Sequence, residues 1–161
     1  MLTLRPVNEK NVWELLKLSV AEDQKSFVAT NTESIVEAYT TVASGGVALP
    51  FGIYEDETPV GFVMIGYEED VSALIPSVHG AAYSLWRFMI DERYQGRGLG
   101  RKTLPMILDY VRKRPAGDAD CCYLSYEPGN ERAKKLYADF GFRETGDMDE
   151  DEIIAVLSIQ E

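Results

Sequence analysis

Cysteine and histidine are nearly missing from this chain. It has two cysteines, Cys121 and Cys122, and one histidine, His79. That supply cannot furnish a Cys/His zinc site. The two cysteines are neighbours, and in a strand adjacent side chains point to opposite faces, so they do not form a structural disulfide with each other. A Cys–His catalytic pair could form only through His79, far away in a loop-like "IPSVHG". Long apolar runs are also missing: no stretch reaches the 18 residues of a membrane helix. Positive charge is scarce, with 16 Lys and Arg against 27 Asp and Glu and a net charge of −11. Such a field repels nucleic acid and favours cationic partners, although solubility alone would also account for it. Met1-Leu-Thr-Leu leads straight into a strand-like segment with no basic or apolar leader, so no signal peptide is expected, and a cytoplasmic protein is expected by default.

What is present is an ordinary globular composition, 45% hydrophobic and 27% charged, over 161 residues. That length suits a single domain over 1–161 with a real core. "LTLRPV" reads as a strand. "NEKNVWELLKLSV" reads as a helix capped by Asn8. Thr30-x-x-Glu33 has capping-box spacing before a second helix bearing Ile35, Val36, Tyr39, Val42 and Ala43 and stopping at Gly45-Gly46. "LPFGIY" and "PVGFVMIGY" flank the polar turn Glu55 to Thr58 as a hairpin. "AAYSLWRFMID" reads as a central strand buried on both faces. Leu104, Ile107, Leu108 and Val111 mark a helix with Pro105 inside it, "DCCYLSYE" a strand, and "NERAKKLYADFGF" a helix stopped by Gly141. "DEIIAVLSI" closes as a last strand. The order β-α-α-β-β-β-α-β-α-β contains one βαβ unit, so an α/β (α+β) fold with a mixed sheet and one right-handed crossover is expected.

Between the central strand and its helix lies "YQGRGLGRKT", Tyr94–Thr103. Glycines at 96, 98 and 100 at a helix N-terminus expose backbone N–H groups to the positive end of the helix dipole, an anion site. Arg97, Arg101 and Lys102 add cations. The stretch departs from both a dinucleotide fingerprint and a P-loop at the same place, because Arg101 stands where each requires glycine. A P-loop NTPase would also require a carboxylate strand for magnesium.

A third pattern is intact. Gln95-x-x-Gly98-x-Gly100 after "FMID" resembles the acetyl-CoA signature of the GCN5-related N-acetyltransferases (GNAT), and Asn130-x-x-Ala133-x-x-x-Tyr137 followed by "FGF" resembles that family's second signature. The element order also matches across nearly the whole chain. The resemblance implies that Phe88, Met89 and Ile90 pair with the pantetheine arm of acetyl-CoA. The loop amides of Gln95, Gly96, Arg97, Gly98, Leu99, Gly100 and Arg101 would bind its pyrophosphate, with no metal, and Asn130 would hold the arm from the other side. Tyr137 would be the general acid that protonates the leaving thiolate, a role a phenol of pKa near ~10 can fill when it lies within hydrogen-bond reach; its other reading is a core aromatic.

The incoming ammonium needs a base. Where some polyamine-acetylating relatives carry a glutamate, this chain has Trp86. Glu127 is one candidate base and a water chain another; Glu127 also reads as a solvated turn carboxylate beside Pro128-Gly129. "LWRFMIDERYQGRGLGRKTL" and "LSYEPGNERAKKLYADFGF" resemble the bacterial spermine/spermidine acetyltransferases. With the acidic balance, this implies a polyamine acceptor, with Glu22, Asp23 and Trp86 on the substrate side. An N-terminal peptide or antibiotic amine as acceptor, a non-catalytic acyl-CoA sensor and an NTP-binding domain stay open as alternatives. The resemblance implies no nucleic-acid or membrane partner; a homodimer is one outcome, since strand edges often pair in this fold.

Overall fold

The computed structural model describes residues 1–160. Seven strands form one sheet: β1 (Leu2–Pro6), β2 (Val47–Glu55), β3 (Thr58–Glu68), β4 (Ala82–Ile90), β5 (Cys121–Tyr126), β6 (Arg143–Asp149) and β7 (Glu152–Ser158). Their order is β1-β2-β3-β4-β5-β7-β6. Every neighbouring pair is antiparallel except β4 and β5, joined by the expected crossover through α3 (Leu99–Arg112). The other helices are α1 (Val12–Leu16), α2 (Asn31–Ala43) and α4 (Glu131–Asp139). The α/β fold with a mixed sheet and one βαβ crossover, expected from the sequence, is the one observed, and its sheet is mostly antiparallel.

Two large apolar clusters cover the sheet, and a third, with Ile75, Cys121, Tyr123 and Ile154, lies against β5 and β7. Leu15, Leu18 and Ala38 pack with Phe62, Met64 and Met89 on one face, under α1 and α2. Leu104, Ile107 and Leu108 of α3 pack with Val63 and Ile65 on the other, where Tyr137 of α4 and Phe140 just after it also lie. Alternate side chains of β3 therefore feed both clusters. β3, not β4, is the strand buried on both faces along its length; in β4 Ala82, Tyr83, Leu85 and Met89 are buried, while Ser84, Trp86, Arg87 and Phe88 are only partly so.

Several local signals are realised. The Thr30 hydroxyl accepts from the Glu33 N–H at 3.1 Å, the first half of a capping box. α2 ends with Gly45 at φ +87°, and the Gly46 N–H reaches back to the Thr41 carbonyl at 2.9 Å, a left-handed stop suited to glycine. The β2–β3 turn employs its acids structurally: Asp56 binds the terminal amine and Glu57 pairs with Arg5.

Other readings are corrected. The first helix contracts to five residues with Asn11 at its cap position; the Asn11 side-chain oxygen Oδ1 accepts from the Asn8 N–H at 2.8 Å, and Asn8 holds a turn. In α2 the buried side chains are Asn31, Ser34 and Ala38, while Val36, Tyr39 and Val42 face outward at 57–75% exposure. Small side chains let this helix sit close on the sheet, and close approach outweighs the apolar stripe. β6 was not expected at all. "RETGDMD" lacks alternation because it is an exposed edge, interrupted by Gly146 at φ +88° and a register shift between Glu144 and Met148. Cys121 and Cys122 do face opposite sides, in different clusters. Burial pushes the Cys122 thiol up to about 12, so it is no thiolate at neutral pH.

Candidate active site

The parallel pairing of β4 and β5 is brief. Only Tyr83 with Cys122 and Ser84 with Tyr123 are in register, and beyond them the strands part. A bulge at Trp86, where Ile65 opposes Leu85 and Met64 opposes Arg87, turns β4 at the point of parting. From Leu85 onward the β5-facing backbone groups of β4 have no strand partner. The gap opens a cleft of about 1360 Å³ through the sheet, walled by both strands, the glycine loop, α4 and residues 24–30. A sheet split in this way lets two ligands meet from opposite faces.

The glycine loop forms the mouth on the α3/α4 side. Gly96 and Gly98 take φ of +78° and +73°, left-handed values that favour glycine. The first backbone bond of α3 runs from the Lys102 N–H to the Gly98 carbonyl at 3.1 Å, which leaves the amides of Leu99, Gly100 and Arg101 without helical acceptors. Gly100 has an ordinary φ, and a Cβ there would meet nothing within 4 Å. Nothing among the described residues requires that glycine, which suits a close external anion. Gln95 fixes the loop: its Nε2 donates to the Ile90 carbonyl and to the Gln24 side chain, both at 2.8 Å. Arg101 pairs with Asp139 of α4 at 2.6 Å, and Arg97 turns aside to Glu55 at 2.8 Å. These free amides, the missing Cβ and the unpaired edge of β4 fit a phosphate-bearing, amide-rich chain such as acetyl-CoA.

α4 supplies the second wall. Asn130 caps it, its side-chain oxygen accepting from the Ala133 N–H at 3.2 Å, while its side-chain amide donors stay free of partners among the described residues. Tyr137 stacks on Tyr126 and meets Phe142 edge-on. Its hydroxyl has no hydrogen-bond partner among the described residues, and the residue lines the cleft. Burial, with a contribution from Cys122, pushes this phenol well above its ordinary value. It is protonated at neutral pH, the form an acid requires.

The α1/α2 side has a different character. Trp86 packs toward that face, and Arg87 binds both carboxylate oxygens of Glu37 on α2 at 3.0 and 3.1 Å. The Arg87 Nε is buried without a partner among the described residues. Across the gap stand Glu127, just past β5, and the β6–β7 turn, whose Asp149, Asp151 and Glu152 line the cleft. Burial raises the Glu152 carboxyl above its ordinary value, Asp149 and Glu127 add to the rise, and Arg87 opposes it.

The cleft therefore gathers Phe88, Met89, Ile90, Gln95, Gly96, Gly98, Leu99, Gly100, Arg101, Asn130, Tyr137, Glu127 and Trp86. Arg97 is not on its wall. Neither are Glu22 and Asp23: both are exposed at the start of a 3₁₀ turn, Glu22 pairs with Lys25 at 2.6 Å, and Gln24 and Lys25 face the cleft instead. Sequence reasoning missed the acids at 149–152. The only signal was "DMDEDE", a charge run ahead of the last strand.

The chain matches the model of the Acetyltransferase (GNAT) family over residues 12–142. It is 31% identical over 152 residues to a spermine/spermidine N(1)-acetyltransferase from Bacillus subtilis, covering 92% of this chain and 91% of that protein. The spermidine N-acetyltransferase of Vibrio cholerae, solved with CoA and spermine, superimposes with a TM-score of 0.70 at 20% identity over 98% of this chain and 95% of that one. The ribosomal-protein-S18-alanine N-acetyltransferase of Escherichia coli does so at 0.66 and 21%, over 100% and 96%. The split sheet, the glycine loop at its mouth and these matches together place the chain in the GNAT family of acetyltransferases.

Proposed function

We propose that this protein transfers an acetyl group from acetyl-CoA to a primary amine of a polyamine such as spermidine or spermine. The observation that supports it most is the division of the cleft: free backbone amides at one mouth suit a pyrophosphate, and carboxylates at the other suit an extended polycation. Several carboxylates along a groove match several ammonium groups better than they match a peptide backbone. The similarity to the Bacillus enzyme supports the same acceptor.

In this reading the β4 edge from Phe88 to Ile90 pairs with the pantetheine amides, Asn130 donates from the opposite side, and the loop amides from Gln95 to Arg101 hold the pyrophosphate. The neutral amine attacks the thioester carbonyl, the C–N bond forms, and collapse of the tetrahedral intermediate breaks the C–S bond. Tyr137 gives its proton to the departing sulfur and regains one from the acylated nitrogen. The strongly negative chain steers cations toward the cleft.

The test is turnover of acetyl-CoA with spermidine, spermine, a panel of N-terminal peptides and an aminoglycoside. Polyamines should give the highest kcat/KM, and that value should fall with added salt. Turnover of a peptide without any polyamine turnover would overturn the acceptor. Binding of acetyl-CoA with no turnover of any amine would indicate an acyl-CoA sensor.

A further inference from the structure

The β5–β7 ladder pairs Tyr126 with Ile153, and the β6–β7 ladder pairs Asp149 with Glu152. Continuing the first register by one step sets Glu127 opposite Glu152. Asp149, Glu152 and Glu127 thus lie in one row across three chain segments. Tyr126 and Ile153 point into the α3/α4 cluster, so the next pair along points to the other face, where Trp86 and Arg87 lie. Like charges placed directly across a sheet repel. Glu152, at the centre of the row, is half-buried, and its carboxylate makes no hydrogen bond or ion pair with another described residue. An arrangement that costs stability and leaves a carboxylate unpartnered in a substrate cleft suits a bound cation or proton.

We propose that Glu152 binds the reacting ammonium of the acceptor and takes its proton, with Glu127 sharing that proton across the strand pair. The inference rests on the acetyltransferase reading above. The ammonium N–H bond breaks and the proton passes to the carboxylate pair, then to solvent; the freed nitrogen lone pair forms the C–N bond. The second nitrogen proton, lost after attack, replaces the one Tyr137 gives to sulfur, so one acetyl transfer releases one proton. Asp149 and Asp151 strengthen the negative field at Glu152, and Arg87, held by Glu37, limits it.

The experiment compares Glu152→Gln, Glu127→Gln and Glu152→Asp with wild type. The acceptors are spermidine and a fluorinated alkylamine that is already unprotonated at neutral pH. Glu152→Gln should lower kcat/KM for spermidine at pH 7 by about 10²-fold or more, with activity on the unprotonated amine near wild type. Glu152→Asp keeps a carboxylate and should restore much of the loss. Glu127→Gln removes a like charge, so the acid limb of the pH profile should move to lower pH. Acetyl-CoA binding, measured alongside, should not change, and thermal stability should hold for Glu152→Asp and rise slightly for the two glutamines, which each remove a like charge. Equal losses on both amines, or none on spermidine, would overturn the role of Glu152, and an unmoved acid limb would overturn the sharing. A wild type that acetylates no polyamine would overturn the polyamine reading alone; the same comparison then uses whichever protonated amine it accepts.

Discussion

Tyr137 lies over Tyr126 with ring centroids 6.3 Å apart and planes 24° from parallel, while Phe142 meets it edge-on at 5.7 Å. The ring is positioned by packing, and the hydroxyl takes no part in holding it. Removing that oxygen should therefore spare the fold. Tyr137→Phe is expected to lower kcat by about 10²-fold or more, with acetyl-CoA affinity and melting temperature near wild type. Calorimetric titration and steady-state kinetics on the same preparation check this; unchanged kcat would remove Tyr137 from the chemistry.

Gly100 separates stability from binding. It sits in the first turn of α3 with an ordinary backbone and empty surroundings. Alanine favours a helix over glycine by about 0.5–1 kcal/mol. Gly100→Ala should raise the urea midpoint slightly and weaken acetyl-CoA binding, because the added methyl group occupies the approach to the free amides. Unaltered affinity would mean that no ligand comes close to this amide.

Asp91 ties the glycine loop to the segment after α1. Only 3% of its side chain is exposed; it accepts from the Ser19 N–H at 2.9 Å, the Arg93 N–H at 3.0 Å and the Arg93 Nε at 2.7 Å. Burial alone would raise its carboxyl, but these donors together hold it below the ordinary 3.8. A lowered folded-state pKa contributes stability above the unfolded value, lost as pH falls through the folded one. Asp91→Asn should cost about 1–3 kcal/mol at pH 7. The gap from wild type should narrow below about pH 4 in denaturant titrations across pH.

Pro105 is exposed inside α3 and has no N–H for the Arg101 carbonyl. Pro105→Ala should restore that bond. Interior proline costs a helix roughly 3 kcal/mol, and freeing the unfolded chain offsets about 1 kcal/mol of the gain. A rise in melting temperature with unchanged kinetics is expected; a fall would mean that the ring packs better than exposure suggests.

Much of this molecule was legible in its sequence. Glycine spacing marked the loop, the helical repeat of Ala133, Leu136, Tyr137 and Phe140 before Gly141 marked α4, and that of Leu104, Ile107, Leu108 and Val111 marked α3. These signals are local: each depends on residues within a turn or two of one another, and backbone geometry translates such spacing directly into shape. The expectation that the loop, Asn130 and Tyr137 share a site came instead from the resemblance to the GNAT signatures; Asn130, Tyr137 and the loop residues other than Arg97 line the cleft.

The remainder was decided by tertiary structure. Which face of α2 is buried depended on how closely the sheet lets a helix approach, and β6 exists because β7 offers it an edge. The acceptor side of the cleft was out of reach for the same reason. Asp149, Glu152 and Glu127 belong to three segments, and only the antiparallel registers of β5, β6 and β7 set them in one row. Glu22 and Asp23 looked equally acidic in the sequence, but the chain turns them outward to solvent. Composition established a negative protein; the pairing of strands determined which of its charges meet in the cleft.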